Sequence, residues 1–168
     1  ICGRDIEHFN TNLSQNKVPY ILGHEFSGEI HDLPDNHSSS FKISDRVVCE
    51  TVASVCENCP ACLKGYYNLC KMRKNIGGGM NGAFSNYVKV PTKYIHSIPD
   101  NISYDEAALI EPMCVSYNAM IVNSDIQENE KIVIIGAGTI AIFCLMLAKH
   151  QNADVIVIAH KKDILGKK

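Results

Sequence analysis

The chain has 168 residues, with 16 Lys and Arg against 18 Asp and Glu, for a net charge of −2. That balance offers a polyanion no foothold and argues against nucleic acid as a partner. No apolar run approaches the ~20 residues that cross a bilayer, so no membrane partner is expected. The length suffices for one domain or two incomplete ones. The chain opens on Ile1 and ends on Lys167 and Lys168 just after a strand-like run, so it reads as a fragment. No secretion or transit pattern is visible, and a cytoplasmic protein is expected.

Taken in order, Ile1 to Asp5 suggests a short turn, and Asn10 to Lys17 a polar loop. Tyr20 to Ile30 mixes apolar residues with Gly23 and Gly28, which suits a bulged strand passing close to other backbone. Pro34 to Ser40 is rich in turn formers. Asp45 to Glu50 reads as a strand.

Then comes Cys56-Glu57-Asn58-Cys59-Pro60-Ala61-Cys62, with a fourth thiol at Cys70. Spacings of three, three and eight let four sulfurs converge on one tetrahedral ion. The competing account is a disulfide framework. Three cysteines within seven residues pair poorly with each other, because a disulfide needs a fixed torsion and Cα separations of about 4.4–6.8 Å. A structural zinc is the expectation, with the lobe spanning residues 56–70. The remaining thiols, Cys2, Cys49, Cys114 and Cys144, suit a reducing compartment as free or metal-bound groups.

Asn75 to Gly82 holds four glycines and reads as a flexible loop. Ala83 to Val90 and Tyr94 to Ile98 read as strands. Ser103 and Glu106 form a capping box ahead of a helix reaching about Ile110. Pro112 opens a second helix, with Glu111 at the junction. Lys131 to Ile135 has the composition of a buried parallel strand. Gly136-Ala137-Gly138 then turns into an apolar helix ending near His150, and Asp154 to Ala159 makes a second buried strand. This strand–helix–strand unit is the opening of a dinucleotide-binding sheet. Gly136 makes the tight turn. Gly138 lets a pyrophosphate approach the amides of Thr139 and Ile140 at the helix start, and Ala141 takes the third glycine place. A strand–helix turn without a ligand is the alternative.

Cys2-Gly3-x-Asp5, Gly23-His24-Glu25-x-x-Gly28, the four-thiol run, Glu111-Pro112-Met113 and the glycine turn together resemble the zinc-containing medium-chain dehydrogenases, on the sorbitol (polyol) dehydrogenase branch. The resemblance implies an α/β protein with a β-rich part: a partial GroES-like catalytic domain over residues 1–122, then the start of a Rossmann nucleotide-binding domain over residues 123–168. It implies two zinc ions per chain. Cys56, Cys59, Cys62 and Cys70 would hold the structural one. Cys2 and His24 would hold the catalytic one, with Glu25 and Glu111 as its carboxylates, one bound directly and the other directly or through water. Asp5 would orient that site from behind its ligands. The implied reaction is metal-assisted hydride transfer between a secondary alcohol and NAD or NADP, on a small polyol or sugar-phosphate substrate. A homo-oligomer is implied for the full-length protein.

Three features depart from the family. Arg4 stands where a hydroxyl residue usually begins the proton relay, and arginine stays protonated. Either Glu7 or His8 carries the proton, or Arg4 binds an anionic substrate group through its planar fork, or the site is disabled. The acid that usually meets the ribose hydroxyls should fall near Ala159 or His160, where none stands. Lys161 and Lys162 follow, so either NADP is preferred or the lysines are merely solvated. Ser44 and Pro34 replace family glycines in turns. Family members are also about twice this long, as the resemblance implies. An L-threonine 3-dehydrogenase-like enzyme and a non-catalytic zinc-stabilised binding protein are the alternatives.

Overall fold

The computed structural model describes residues 1–10 and 21–160. The expected polar loop after Asn10, and Lys161 and Lys162, lie outside the described residues. The backbone gathers into two compact units, Ile1–Leu109 and Ile110–Lys168.

The first unit is β-rich. Strands β1 (Ser27–Glu29), β2 (Arg46–Cys49) and β6 (Ile95–Ser97) form an antiparallel sheet in the order β1-β2-β6. A second sheet joins β3 (Val52–Ser54), β4 (Lys74–Ile76) and β5 (Gly79–Met80). β3 and β4 run antiparallel with a register shift between Val52 and Ser54, and β4 and β5 run parallel. Ile30, Cys49, Val52, Ala53, Ile76, Tyr94 and Ile95 form the shared core, with Phe26 and Val47 packed against it. Burial pushes the Cys49 thiol up to about 12, so it stays protonated and serves as packing.

Helix α3 (Tyr104–Ala107) begins at the expected capping box: Ser103 accepts from the Glu106 amide and Glu106 accepts from the Ser103 amide. This short helix is tied to β1, with Ser27 Oγ donating to the Tyr104 carbonyl at 2.7 Å and Tyr104 Oη donating to Glu29 at 2.6 Å. Arg46 stacks over the Tyr104 ring, 4.6 Å from its centroid.

The second unit holds α4 (Ile110–Tyr117), a π turn at Asn118–Val122, β7 (Lys131–Ile135), α5 (Thr139–His150) and β8 (Asp154–Ile158). β7 and β8 are parallel and in register from Lys131 opposite Asp154 to Ile135 opposite Ile158. Pro112 lies in the first turn of α4, where its missing N–H costs nothing. Ser116 is fully buried and donates to the Ile140 carbonyl at 3.1 Å, fastening α4 to α5.

Several local expectations are corrected. Residues 3–10 form a helix, α1 (Gly3–Asn10), instead of a turn. The apparent strand from Tyr20 to Ile30 reduces to Ser27–Glu29, because Gly23 sits at φ +94° and breaks the extended path. Asn75 to Gly82 is not a plain loop but carries the ends of β4 and all of β5. Ala83 to Val90 contains no strand. β7 and β8 are largely exposed, with Ile135 at 83 %. Helix α5 packs on this two-stranded sheet and has Phe143, Leu147 and Ala148 buried, while most side chains of both strands are left without cover.

Backbone contact explains the glycine-rich segment. Gly82 N donates to Ile21 O at 2.7 Å, Ala83 N to Gly23 O at 2.9 Å and Phe84 N to Leu22 O at 3.0 Å. A β-carbon on Gly82 would stand 2.2 Å from Gly23 O and 2.5 Å from Leu22 O, so only glycine permits this approach. Gly82→Ala is therefore expected to destabilise the protein by about 1–3 kcal/mol or more. Gly28→Ala, whose β-carbon would meet nothing within 4 Å, should cost much less. Thermal and denaturant unfolding of the two variants checks this; equal losses would contradict it.

Candidate metal centres

The four thiols lie on a short lobe. Helix α2 (Pro60–Leu63) and a 3₁₀ turn at Tyr67–Leu69 fold Cys62 and Cys70 back toward Cys56 and Cys59. All four sulfurs lie within 4.8 Å of one another. Cys56 Sγ is 4.0 Å from Cys62 Sγ and 3.6 Å from Cys70 Sγ. Sulfurs at the corners of a zinc tetrahedron with 2.3 Å bonds would be about 3.8 Å apart. The observed separations match that edge and exclude a disulfide bond, which needs about 2.05 Å.

Local backbone prepares these thiols. Glu57 takes φ +61°, unusual for a residue with a β-carbon. The Asn58 and Cys59 amides then bond to the Cys56 sulfur and pull its pKa down to about 6. Loss of solvent raises the Cys62 thiol to about 12, helped by the hydrogen bonds of Cys59 and Cys70. A dication bound among the four sulfurs would favour the thiolate form of its ligands and so complete the cage. The lobe is fastened at two points. Tyr67 Oη donates to Glu50 Oε2 at 2.9 Å, with His96 Nε2 on Glu50 Oε1 at 3.1 Å, and Lys93 pairs with Glu57.

The second cluster joins residues distant in sequence. One donor atom each from Cys2, His24 and Glu25 lies within 4.8 Å of the others. Cys2 precedes α1, and His24 and Glu25 follow Gly23. The Ile21–Gly23 backbone is clasped by residues 82–84, and a β-carbon on Gly23 would meet the Phe84 ring at 2.5 Å. The clasp fixes where the imidazole starts.

Asp5 ties the two segments together. It is 4 % exposed, and His24 is 9 % exposed. Its Oδ2 accepts from the Cys2 amide at 2.9 Å, its Oδ1 accepts from the Gly23 amide at 3.4 Å, and Oδ1 lies 3.3 Å from His24 Nδ1. A carboxylate at Nδ1 selects the tautomer with its proton there and leaves Nε2 with a free lone pair. Glu25 Oε2 lies 3.1 Å from the amino group of Ile1. Sulfur, imidazole nitrogen and carboxylate oxygen form a donor set that suits zinc with a position left open.

The remaining candidates are placed as follows. Arg4 is exposed on α1. Glu111 lies in the first turn of α4, in the second unit. Gly136 takes φ +124°, as a tight turn after β7 requires, and Gly138 caps α5 with Thr139 and Ile140 in its first turn. The clasp by residues 82–84 was missed in the sequence, although Gly23 on one side and the glycines at 77–82 on the other signalled a close backbone approach.

Residues 1–100 match the alcohol dehydrogenase GroES-like domain. The chain belongs to that family. D-arabitol-phosphate dehydrogenase of Enterococcus avium is 39 % identical over 163 residues, covering 97 % of this chain and 46 % of that protein. Sorbitol dehydrogenase of Halalkalibacterium halodurans is 34 % identical, covering 97 % of this chain and 47 % of that one. The crystal structure of galactitol-1-phosphate dehydrogenase from Escherichia coli superposes with a TM-score of 0.84 at 31 % identity, over 98 % of this chain and 47 % of that one. The chain thus spans about half the length of the relatives it matches. The mixed α/β architecture is that of a medium-chain dehydrogenase, and among the described residues no helix is long and apolar enough to cross a membrane.

Asp5→Asn keeps the size of the side chain but removes the charge facing His24. Metal affinity at the Cys2, His24 and Glu25 cluster should fall about 10–100-fold. The four-thiol lobe should keep its metal. Chelator competition followed by metal analysis measures both; equal loss from the two clusters would contradict this role for Asp5.

Proposed function

We propose that the full-length protein is a zinc-dependent oxidoreductase that moves hydride between a secondary alcohol of a polyol or polyol phosphate and NAD or NADP. The observation that carries this reading is the gathering of Cys2, His24 and Glu25 donors against a buried Asp5. The named activities of the relatives support the substrate class.

Cys2, His24 and Glu25 would hold the catalytic zinc, and Cys56, Cys59, Cys62 and Cys70 a structural one. Bound zinc supplies a Lewis acid that lowers the pKa of a coordinated hydroxyl, as it lowers that of water to about 7. Asp5 holds the His24 ring with its proton at Nδ1, which would leave the Nε2 lone pair available to a metal ion. The clasp at Gly23 prevents that ring from drifting, which matters because small displacements cost large factors in rate. A bound nicotinamide would supply the acceptor for the hydride that leaves the alcohol carbon, and the hydroxyl proton would pass to solvent. The turn at Gly136 and Gly138, with the Thr139 and Ile140 amides at the start of α5, would take the cofactor pyrophosphate. No acid stands at Ala159 or His160, the places where one would favour NAD, so both NAD and NADP remain candidate cofactors. Four thiols gathered as metal ligands suit a reducing compartment such as the cytoplasm.

The full-length enzyme should carry two zinc ions per chain. Cys2→Ser should remove one of them and lower kcat for polyol oxidation by about a thousandfold or more, with little change in Tm. Cys59→Ser should remove the other and lower Tm by several degrees. Metal analysis, steady-state kinetics with both cofactors and calorimetric unfolding report on each part. A Cys2→Ser variant with full zinc and full turnover would end the dehydrogenase reading. One zinc in the parent protein and no turnover would favour a non-catalytic binding protein.

A further inference from the structure

Arg4 has no part in the metal clusters, yet it stands beside one. It is the second residue of α1, two positions after Cys2 and next to Asp5. Its side chain is exposed, and among the described residues no carboxylate forms an ion pair with it. The guanidinium lies along the glycine loop, with one Nη atom 3.5 Å from the point where a β-carbon on Gly78 would stand. The next residue back, Gly77, packs on the Gly23 backbone, where a β-carbon would come within 2.5 Å of Gly23 O. Gly23 directly precedes His24. The guanidinium thus lies against the loop whose Gly77 packs on the backbone that leads into His24. A longer side chain at Gly78 would displace it.

A guanidinium is charged at any working pH and offers a planar fork that matches two phosphate oxygens. A neutral polyol presents only hydroxyls, which cannot balance the charge. The same residue cannot relay a proton, so a hydroxyl-type role for this position is closed. We propose that Arg4 recognises the phosphate group of the substrate, so that the enzyme prefers a phosphorylated polyol over the same polyol without phosphate. This rests on the dehydrogenase reading above and specifies its substrate. A nicotinamide cofactor also carries phosphate oxygens, so the test must separate the two sources.

The experiment uses full-length parent protein, Arg4→Ser and Arg4→Lys. Steady-state kinetics compare pentitol and hexitol phosphates with the unphosphorylated polyols at saturating cofactor, and the cofactor KM is measured separately. Calorimetry with inorganic phosphate gives a readout independent of turnover. The parent should favour the phosphorylated substrate. Arg4→Ser should lower the ratio of kcat/KM for phosphorylated over neutral polyol about tenfold or more, chiefly through KM, and should weaken inorganic phosphate binding by a similar factor. Arg4→Lys should restore part of both, since it keeps the charge without the fork. An unchanged ratio in Arg4→Ser overturns the proposal, as does a loss confined to the cofactor KM. If the parent oxidises neither class, the dehydrogenase reading fails on its own. Phosphate binding that Arg4→Ser abolishes then still supports Arg4 as an anion site, and equal binding by parent and variant overturns it.

Discussion

A buried carboxylate holds the candidate catalytic centre together. Asp5 sits where α1 meets the Gly23 turn, accepting from the Cys2 and Gly23 amides while facing His24 Nδ1. Taking an ionised carboxylate out of water is costly unless hydrogen bonds replace the lost solvation. Here those bonds come from the backbone of the segments that bear the candidate ligands. The geometry of the site and the solvation of Asp5 are thus one requirement: neither segment can move without leaving the carboxylate short of partners.

The glycine loop supplies the opposing wall. Residues 82–84 bond to residues 21–23 through main chain alone, so close contact between the two strands of backbone depends on the absence of side chains. The four-thiol lobe is organised differently. Its ligands are near neighbours, its thiolate is prepared by local amides, and its attachment to the sheet runs through Glu50, Tyr67 and the Lys93–Glu57 pair. Local sequence suffices for that lobe, whereas the other cluster needs tertiary structure before Cys2 can meet His24 and Glu25.

This difference explains what the sequence disclosed. The four-thiol spacing, the β2 strand, the capping box at Ser103 and the β7–α5–β8 unit are all short-range patterns, and each was legible from periodicity, spacing or turn chemistry. The Cys2, His24 and Glu25 group was visible only through resemblance, because no local rule links residue 2 to residue 24. Helix α1 was hidden because Gly3 and Asp5 favour turns locally, while Asp5 in fact turns its side chain back to the Cys2 amide and starts a helix. The strand read at Tyr20 to Ile30 failed at Gly23, where positive φ is needed to bring His24 to Asp5. Exposure of β7 and β8 could not be foreseen either, since an apolar strand announces a wish for cover and not the cover itself.

Zinc K-edge X-ray absorption on the full-length protein addresses the central claim most directly, because it reports the atoms around each ion. The account requires two environments: one of four sulfurs near 2.3 Å, and one that mixes a single sulfur with nitrogen and oxygen near 2.0–2.2 Å. Replacing Cys2 by serine should erase only the mixed shell. A spectrum explained wholly by four-sulfur coordination, unaltered by that replacement, would contradict it.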